Sequence, residues 1–176
     1  MLKLKRLFVA VPLSDELIKI TNQFVEQNQH LKEVRWTKEK NRHVTICFLG
    51  NQDEKNIPII IDKIRGLHKS LMPVVLANPE LYLAPNIKKP IMIWAKFDKR
   101  DCFNRLVTGF SRNLLNTSPK FEPVPHITMS RLKEPVSNLV GGNKKIDYYE
   151  EYTKIVLYES ILKPEGAEYI ELEVFE

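Results

Sequence analysis

Two short segments share a pattern whose residue types could move protons. RHVTICFLG, residues 42 to 50, places His43 and Thr45 two apart at the head of an apolar run. PHITMSRL, starting at residue 125, repeats the arrangement with His126 and Thr128. Side chains alternate faces along a β-strand, so residues two apart point the same way, roughly 6.5–7 Å apart. Simple alternation then puts Val44, Ile46 and Phe48 on a core face, with Ile127 and Met129 doing the same in the second copy. His126, Thr128 and Ser130 would share the opposite face. Two imidazoles can divide a proton transfer, one neutral and accepting, the other protonated and donating, because histidine titrates near neutrality. Threonine hydroxyls could donate to non-bridging phosphate oxygens and stabilise charge as it develops. Hydrolysis of a strained cyclic phosphodiester needs little more than one group to activate water and one to protonate the departing ribose oxygen.

Two blander readings compete. A lone histidine at a strand start more often caps the strand or hydrogen-bonds in the interior. With four histidines and seven threonines in 176 residues, two His-x-Thr coincidences have a chance of about one in a hundred. A metal site fits poorly: Thr is a weak ligand, neither motif holds a carboxylate, and His-x-His is absent. Cys47 falls on the His43 face by alternation but four residues along, too far for a comfortable chelate.

The elements that must position these residues can be read from the same sequence. RLFVAVPL, residues 6 to 13, reads as a buried strand. Ser14 is placed to cap a helix carrying Asp15 and Glu16 in its first turn, with Leu17, Ile20, Phe24 and roughly Leu31 as its stripe. VRWT is a short strand and KEKNR a charged loop leading to His43. A helix is expected around residues 54 to 71, with Ile57, Ile60, Ile61, Ile64 and Leu71 at helical spacing and Pro58 tolerated near its start. PVVLANPELYL and IMIWAKF are strand-like, joined by the turn-rich APNIKKP. Phe103, Leu106, Val107, Phe110 and Leu114 make one face of a helix over about 101 to 116. KIVLYESIL and EYIELEVF form a hairpin around KPEGA. Helices and strands do not alternate strictly, which favours an α+β fold with antiparallel sheets over a doubly wound one.

Bulk properties bound the rest. The length suits one domain over residues 1–176, or two intimately packed lobes. At 43% hydrophobic and 28% charged residues, a soluble globular chain is expected. The net charge of +5 would suit an anionic substrate but carries little weight alone. Cys47 and Cys102 form no CxxC pair, and a reduced cytoplasmic setting fits them. MLKLKRLFVAVPL superficially resembles a signal peptide, but its apolar run is short and meets Pro12 and the acidic SDE. No stretch approaches the length of a membrane span.

HVTICFLG and HITMSR resemble the paired H-x-T-x motifs of the 2H phosphoesterase superfamily, most closely its RNA 2′,3′-cyclic phosphodiesterases, also called 2′-5′ RNA ligases. RLFVAVPL, VRWTKEKNRHVTICFLG and LYESILKPEGAEYIEL extend the resemblance over nearly the whole chain. It implies a two-lobed α+β fold with helices outside, pseudo-two-fold symmetry, and the two motifs facing one another across a central cleft. It implies a hydrolase acting on RNA or nucleotides with a 2′,3′-cyclic phosphate end, without metal or cofactor, as a monomer. On that pattern His43 would protonate the leaving 3′ oxygen and His126 would accept the proton of water, while Thr45 and Thr128 hold the phosphate. The near-symmetry of the motifs leaves acid and base unassigned by the residues themselves. Arg131 matches a basic residue often found after the second motif, although strict alternation would put it opposite His126. Arg42 and Cys47 depart from the usual pattern without touching the quartet. Two other activities stay open: 2′-5′ ligation by the reverse chemistry, and non-catalytic binding of a nucleotide or RNA.

Trp36, Tyr82 and Phe48 could stack a base, with core the better expectation for Trp36 and Phe48. Lys38, Lys40 and Arg42 precede His43 and are expected to meet RNA phosphates. His30 and His68 read as surface residues, and Cys102 as a helix-start cysteine.

Overall fold

Apolar runs and helix caps fall where the sequence puts them, and the sheet they build brings the two motif strands side by side. The computed structural model describes residues 3–32, 34–86, 88–134, 136, 139–164 and 166–176. Its strands are β1 (Leu4–Pro12), β2 (His43–Asp53), β3 (Val74–Ala77), β4 (Glu80–Ala84), β5 (Met92–Lys96), β6 (His126–Arg131), β7 (Tyr149–Tyr152), β8 (Ile155–Lys163) and β9 (Gly166–Phe175). Its α-helices are α1 (Asp15–Gln27), α2 (Ile57–Leu71) and α3 (Asp101–Leu115).

Ser14 caps α1 as expected, its Oγ accepting from the Leu17 N–H at 3.3 Å. Leu17, Ile20 and Phe24 are buried along it, but the helix ends before Leu31. There the buried Asn28 side chain donates to the Phe24 carbonyl at 2.8 Å, taking one of the orphan acceptors of the last turn. In α2, Pro58 lies in the first turn, where a missing N–H costs no helical bond. Residues 54–56 form a separate 3-10 turn.

Seven strands form one sheet in the order β4-β5-β6-β2-β1-β8-β9, and every neighbouring pair is antiparallel. The fold is α+β. Strand–helix–strand units β1–α1–β2 and β5–α3–β6 lie on either side of the β6/β2 seam, so the two halves are related by a pseudo-two-fold axis through it. One face of the sheet carries Leu7, Val9, Val11, Val44, Ile46 and Ile127 into the core, where Leu17, Phe24, Ile64, Phe103 and Phe110 of the helices meet them. Phe8 and Ala10 alternate onto the other face.

Three details differ from the sequence reading. PVVLANPELYL is broken at Asn78, whose φ of 52° turns the chain, so that β3 and β4 join different sheets. VRWT shrinks to a single bridge between Trp36 and Ser130. YEEY, which has no apolar alternation, is strand β7 and pairs with β3. The β8–β9 hairpin is present from Lys163 to Gly166; Glu165 at its turn and Ile87 of APNIKKP lie outside the described residues. Among the described residues no helix is long and apolar enough to cross a membrane.

Candidate active site

Val44 of β2 pairs with Ile127 of β6, the one registered pair across the central seam. Carrying that antiparallel register one step each way sets His43 abreast of Thr128 and Thr45 abreast of His126. The four motif side chains thus form a quartet on one face, with histidines on one diagonal and threonines on the other. All four are partly buried. Among the described residues the hydroxyls of Thr45 and Thr128 have no protein hydrogen-bond partner, so both are free to donate to a ligand.

Each imidazole is held in the same way. His43 Nδ1–H donates to the Asn41 carbonyl at 2.9 Å, and His126 Nδ1–H to the Val124 carbonyl at 2.7 Å. A carbonyl can only accept, so Nδ1 carries the proton of each neutral ring and Nε2 is left as the exchangeable position. Burial pushes His43 down to about 4; the bond to Asn41 opposes this and the nearby His126 adds to it. Burial also lowers His126, against the bond to Val124. At neutral pH both rings of the free protein are therefore neutral. Binding of an anion between them would favour the protonated form of one.

Beyond the threonines, alternation is broken twice in the same way. The β1–β2 register steps from Ala10↔Thr45 to Val9↔Cys47, leaving Ile46 as an extra residue in β2. The β5–β6 register steps from Trp94↔Thr128 to Ile93↔Ser130, leaving Met129 extra in β6. A bulge re-aims every side chain after it. Cys47 is therefore turned into the core, where burial lifts its thiol to about 11 beside Ser111. Ser130 is also turned inward, its Oγ donating to the Arg35 carbonyl at 3.0 Å. Phe48 and Arg131 swing onto the histidine face instead. Phe48, expected in the core, is 63% exposed. Arg131, which alternation placed opposite His126, is on its side and exposed. It has no carboxylate partner among the described residues.

Two further expectations change. Arg42 is 8% exposed and meets no solvent phosphate. Its guanidinium donates to the Thr37 carbonyl at 3.1 Å, Thr21 Oγ1 at 3.1 Å and Asn22 Oδ1 at 2.6 Å, tying the loop before His43 to α1. Lys38 and Lys40 remain exposed. His68 is buried, with Nε2 donating to the Thr153 carbonyl at 2.6 Å, whereas His30 is exposed in the turn after α1. Trp36 packs against the core as expected.

The LigT-like phosphoesterase family matches residues 8–94. An RNA 2′,3′-cyclic phosphodiesterase of Methanocaldococcus jannaschii is 27% identical over 175 residues, covering 93% of this chain and 96% of that one. Another of that name, from Aquifex aeolicus, is 25% identical over 188 residues, covering 99% and 98%. A crystal structure from Thermus thermophilus superposes with a TM-score of 0.80 at 25% identity, over 97% of this chain and 96% of that one. The chain belongs to the LigT-like phosphoesterases. E. coli LigT, crystallised with NADP+, shares the fold at a TM-score of 0.72 and 19% identity, with 98% of each chain covered.

In this phosphoesterase the rings that seat the histidines were missed by sequence reasoning. Trp94 stacks on His126 with centroids 3.9 Å apart and planes 22° from parallel. Its indole Nε1 is enclosed and is the one buried side-chain polar atom among the described residues without a partner. His43 is held by Phe8 at 4.8 Å and by the edge of Tyr169 at 5.2 Å, and Phe8 in turn stacks on Tyr158 at 5.1 Å. Small Ala10, two residues after Phe8 in β1, lies opposite Thr45. The only signal in the sequence is that Phe8, Tyr158 and Tyr169 sit within the apolar runs of their strands. Tyr169 arrives on the β8–β9 hairpin, whose Ala167 carbonyl accepts from Asn41 Nδ2 at 2.8 Å. Asn41 thus touches the hairpin with its side chain and His43 with its carbonyl. Tyr82 is paired with Trp94 and covered by Lys96 Nζ, 4.1 Å from its ring.

Proposed function

We propose that the protein hydrolyses 2′,3′-cyclic phosphate ends of RNA to 2′-phosphomonoesters by paired histidine acid–base catalysis. His126 Nε2 takes a proton from water as the water oxygen attacks phosphorus. The bond from phosphorus to the 3′ oxygen breaks, and His43 Nε2–H protonates the departing 3′ alkoxide. Thr45, Thr128 and Arg131 hold the non-bridging oxygens and stabilise their charge in the transition state. The observation that carries this reading is the matched pair of Nδ1–carbonyl bonds, which leaves Nε2 of both rings for proton exchange beside two unpartnered hydroxyls.

Neither half of the chain holds a complete quartet, so the two halves work as one bilobal unit and a single copy suffices. Both protons come from imidazoles, and among the described residues no three His, Cys, Asp or Glu side chains gather to hold a metal. Metal is not required in this mechanism. Free thiols at Cys47 and Cys102 suit a reducing cytoplasm.

The test is incubation of an oligoribonucleotide ending in a 2′,3′-cyclic phosphate with excess EDTA, followed by product analysis. Undiminished formation of the 2′-phosphomonoester is expected. Activity that vanishes in EDTA and returns with zinc or manganese would overturn the mechanism.

A further inference from the structure

We infer that Trp94 is a positioning residue for His126: its indole face fixes the plane of the imidazole and stabilises that ring whenever it carries the proton. The part this plays in turnover rests on the phosphodiesterase reading.

The two imidazoles are alike in their hydrogen bonds and unlike in their ring contacts. On β5 the residue opposite Thr128 is Trp94, and on β1 the residue opposite Thr45 is Ala10. Equivalent places in the two halves thus hold an indole and a methyl group. Trp94 leans from its backbone partner Thr128 onto His126, with centroids 3.9 Å apart and planes 22° from parallel. His43 meets Phe8 at 4.8 Å with the planes inclined by 35°, and Tyr169 at 5.2 Å with the planes at 81°. Of the two histidines, only His126 lies nearly parallel on a neighbouring ring. A cation over an aromatic face is attracted by the negative charge above the ring, and indole offers the strongest such face.

Hydrogen bonding does not explain the indole. Its Nε1–H is enclosed without a partner among the described residues, and an unpaired buried donor is unfavourable. A catalytic role is one reason for a fold to tolerate such a donor.

The charges around His126 do not replace the stack. Lys96 stands opposite His126 on β5, but its Nζ meets Glu80 at 2.8 Å and lies 4.1 Å from the centre of the Tyr82 ring. Glu122, in the loop before β6, is paired with Lys99. Arg131 on β6 and His43 across the seam are cations when charged, and each opposes a further positive charge. Burial opposes it too, against the Val124 carbonyl at Nδ1. The indole face adds to the carbonyl's side of that balance. It does so whether the proton comes from water or is present when substrate binds, so it does not choose the direction of transfer.

The experiment compares wild type with Trp94→Phe and Trp94→Leu on an oligoribonucleotide ending in a 2′,3′-cyclic phosphate. NMR follows the His126 ring protons through a pH titration of each protein. A second series places mono- and tetrafluorinated tryptophan at position 94, which weakens the π face while nearly keeping its shape. Proton affinity of His126 should fall in the order wild type, Trp94→Phe, Trp94→Leu, by about five- to thirtyfold at the end of the series. Turnover should follow the same order, with KM changed much less, and fluorination should lower both stepwise. A ring that merely covers His126 gives the opposite sign, because Leu admits water and the proton affinity rises. That rise, an unchanged titration, or wild-type turnover in Trp94→Leu would overturn the proposal and leave the phosphodiesterase reading standing. Absent hydrolysis by the wild type with the titration order intact would overturn that reading and uphold the stack. Absence of both would overturn the two together.

Discussion

Val44 and Ile127 face each other across the central seam, and each is flanked by the histidine and threonine of its own motif. This single pairing generates the quartet, because each motif needs the other strand to complete a two-by-two array. The chemistry therefore depends on how two halves of one sheet meet.

Replacing either histidine removes one end of the proton transfer. His43→Ala and His126→Ala should each lower turnover on the order of 10²–10⁴-fold. Thr45→Ala and Thr128→Ala should cost less and should show partly as raised KM. Steady-state kinetics on folded variants decides it; a histidine variant with near-wild-type turnover would refute paired catalysis.

Both imidazoles are held below the ordinary histidine value near 6.5, His43 at about 4. The reaction needs one ring protonated and the other neutral. In the free protein that combination is most populated at acid pH, so kcat/KM should peak on the acid side. A bound phosphate anion raises the donor, so kcat should trace a bell with its maximum near neutrality. The two limbs belong to the pair and are assigned only with single-histidine variants. Coincident maxima for kcat and kcat/KM would contradict the proposed effect of the anion.

The same lowering makes a stability statement. His43 is protonated more readily unfolded than folded, so its neutral ring favours the fold fully above about pH 6.5. That contribution is lost as the pH falls from there through about 4. It amounts to no more than about 3.5 kcal/mol, since a tenfold change in proton affinity is worth about 1.4 kcal/mol. Urea midpoints followed from pH 7 to 4 should fall less steeply in His43→Gln than in the wild type; equal slopes would remove His43 as a source.

Arg42 donates to three acceptors in a closed environment. Arg42→Met keeps the volume of the stem but strands those acceptors and should destabilise the fold by about 2–4 kcal/mol. Urea denaturation measures the change directly. A loss under about 0.5 kcal/mol would mean that the loop before His43 is fixed by other contacts.

Ligation and hydrolysis compete for one position. A 5′-hydroxyl RNA end must displace water, which vastly outnumbers it. Hydrolysis should dominate, with 2′-5′ joining visible only at high RNA concentration. Efficient joining of dilute ends, scored by gel, would reverse the ranking.

The quartet is legible in the sequence because strict alternation holds from His43 to Ile46 and from His126 to Met129. It fails one residue later in each strand, and every error of facing follows from that. Carrying alternation through a bulge that no local residue announces puts Phe48 in the core, Cys47 and Ser130 on the open face, and Arg131 on the wrong side. Trp94 and Tyr169 escape for another reason. Their proximity to the histidines is set by cross-strand register and by the return of the β8–β9 hairpin to Asn41, neither of which is encoded near the motifs. Arg42 looks like part of a basic surface run, yet its polar partners on α1 and in the preceding loop draw it inside. The helices are better foreseen, since caps and 3.6-residue stripes are local; the end of α1 is overrun, where Asn28 stops it, and so is the start of α2, where residues 54–56 form a separate 3-10 turn.

The equivalence of the two Nδ1–carbonyl bonds has a consequence for how direction is chosen. Resting in the free protein, the two imidazoles are near equivalents about the pseudo-two-fold axis at the seam, and nothing in their own hydrogen bonding marks one as donor. The choice then falls to the way the nucleotide lies down. Phe48 and Arg131, each just past the bulge of its motif strand, break the symmetry by offering unlike ends, so on the proposed reading a bound nucleotide would be oriented before any proton moves. Exchanging those two side chains would leave both imidazoles and both threonine hydroxyls in place while inviting the substrate to bind head for tail. The handedness of the reaction would thus reside in its grips, with the proton carriers taking their parts from the pose they are given.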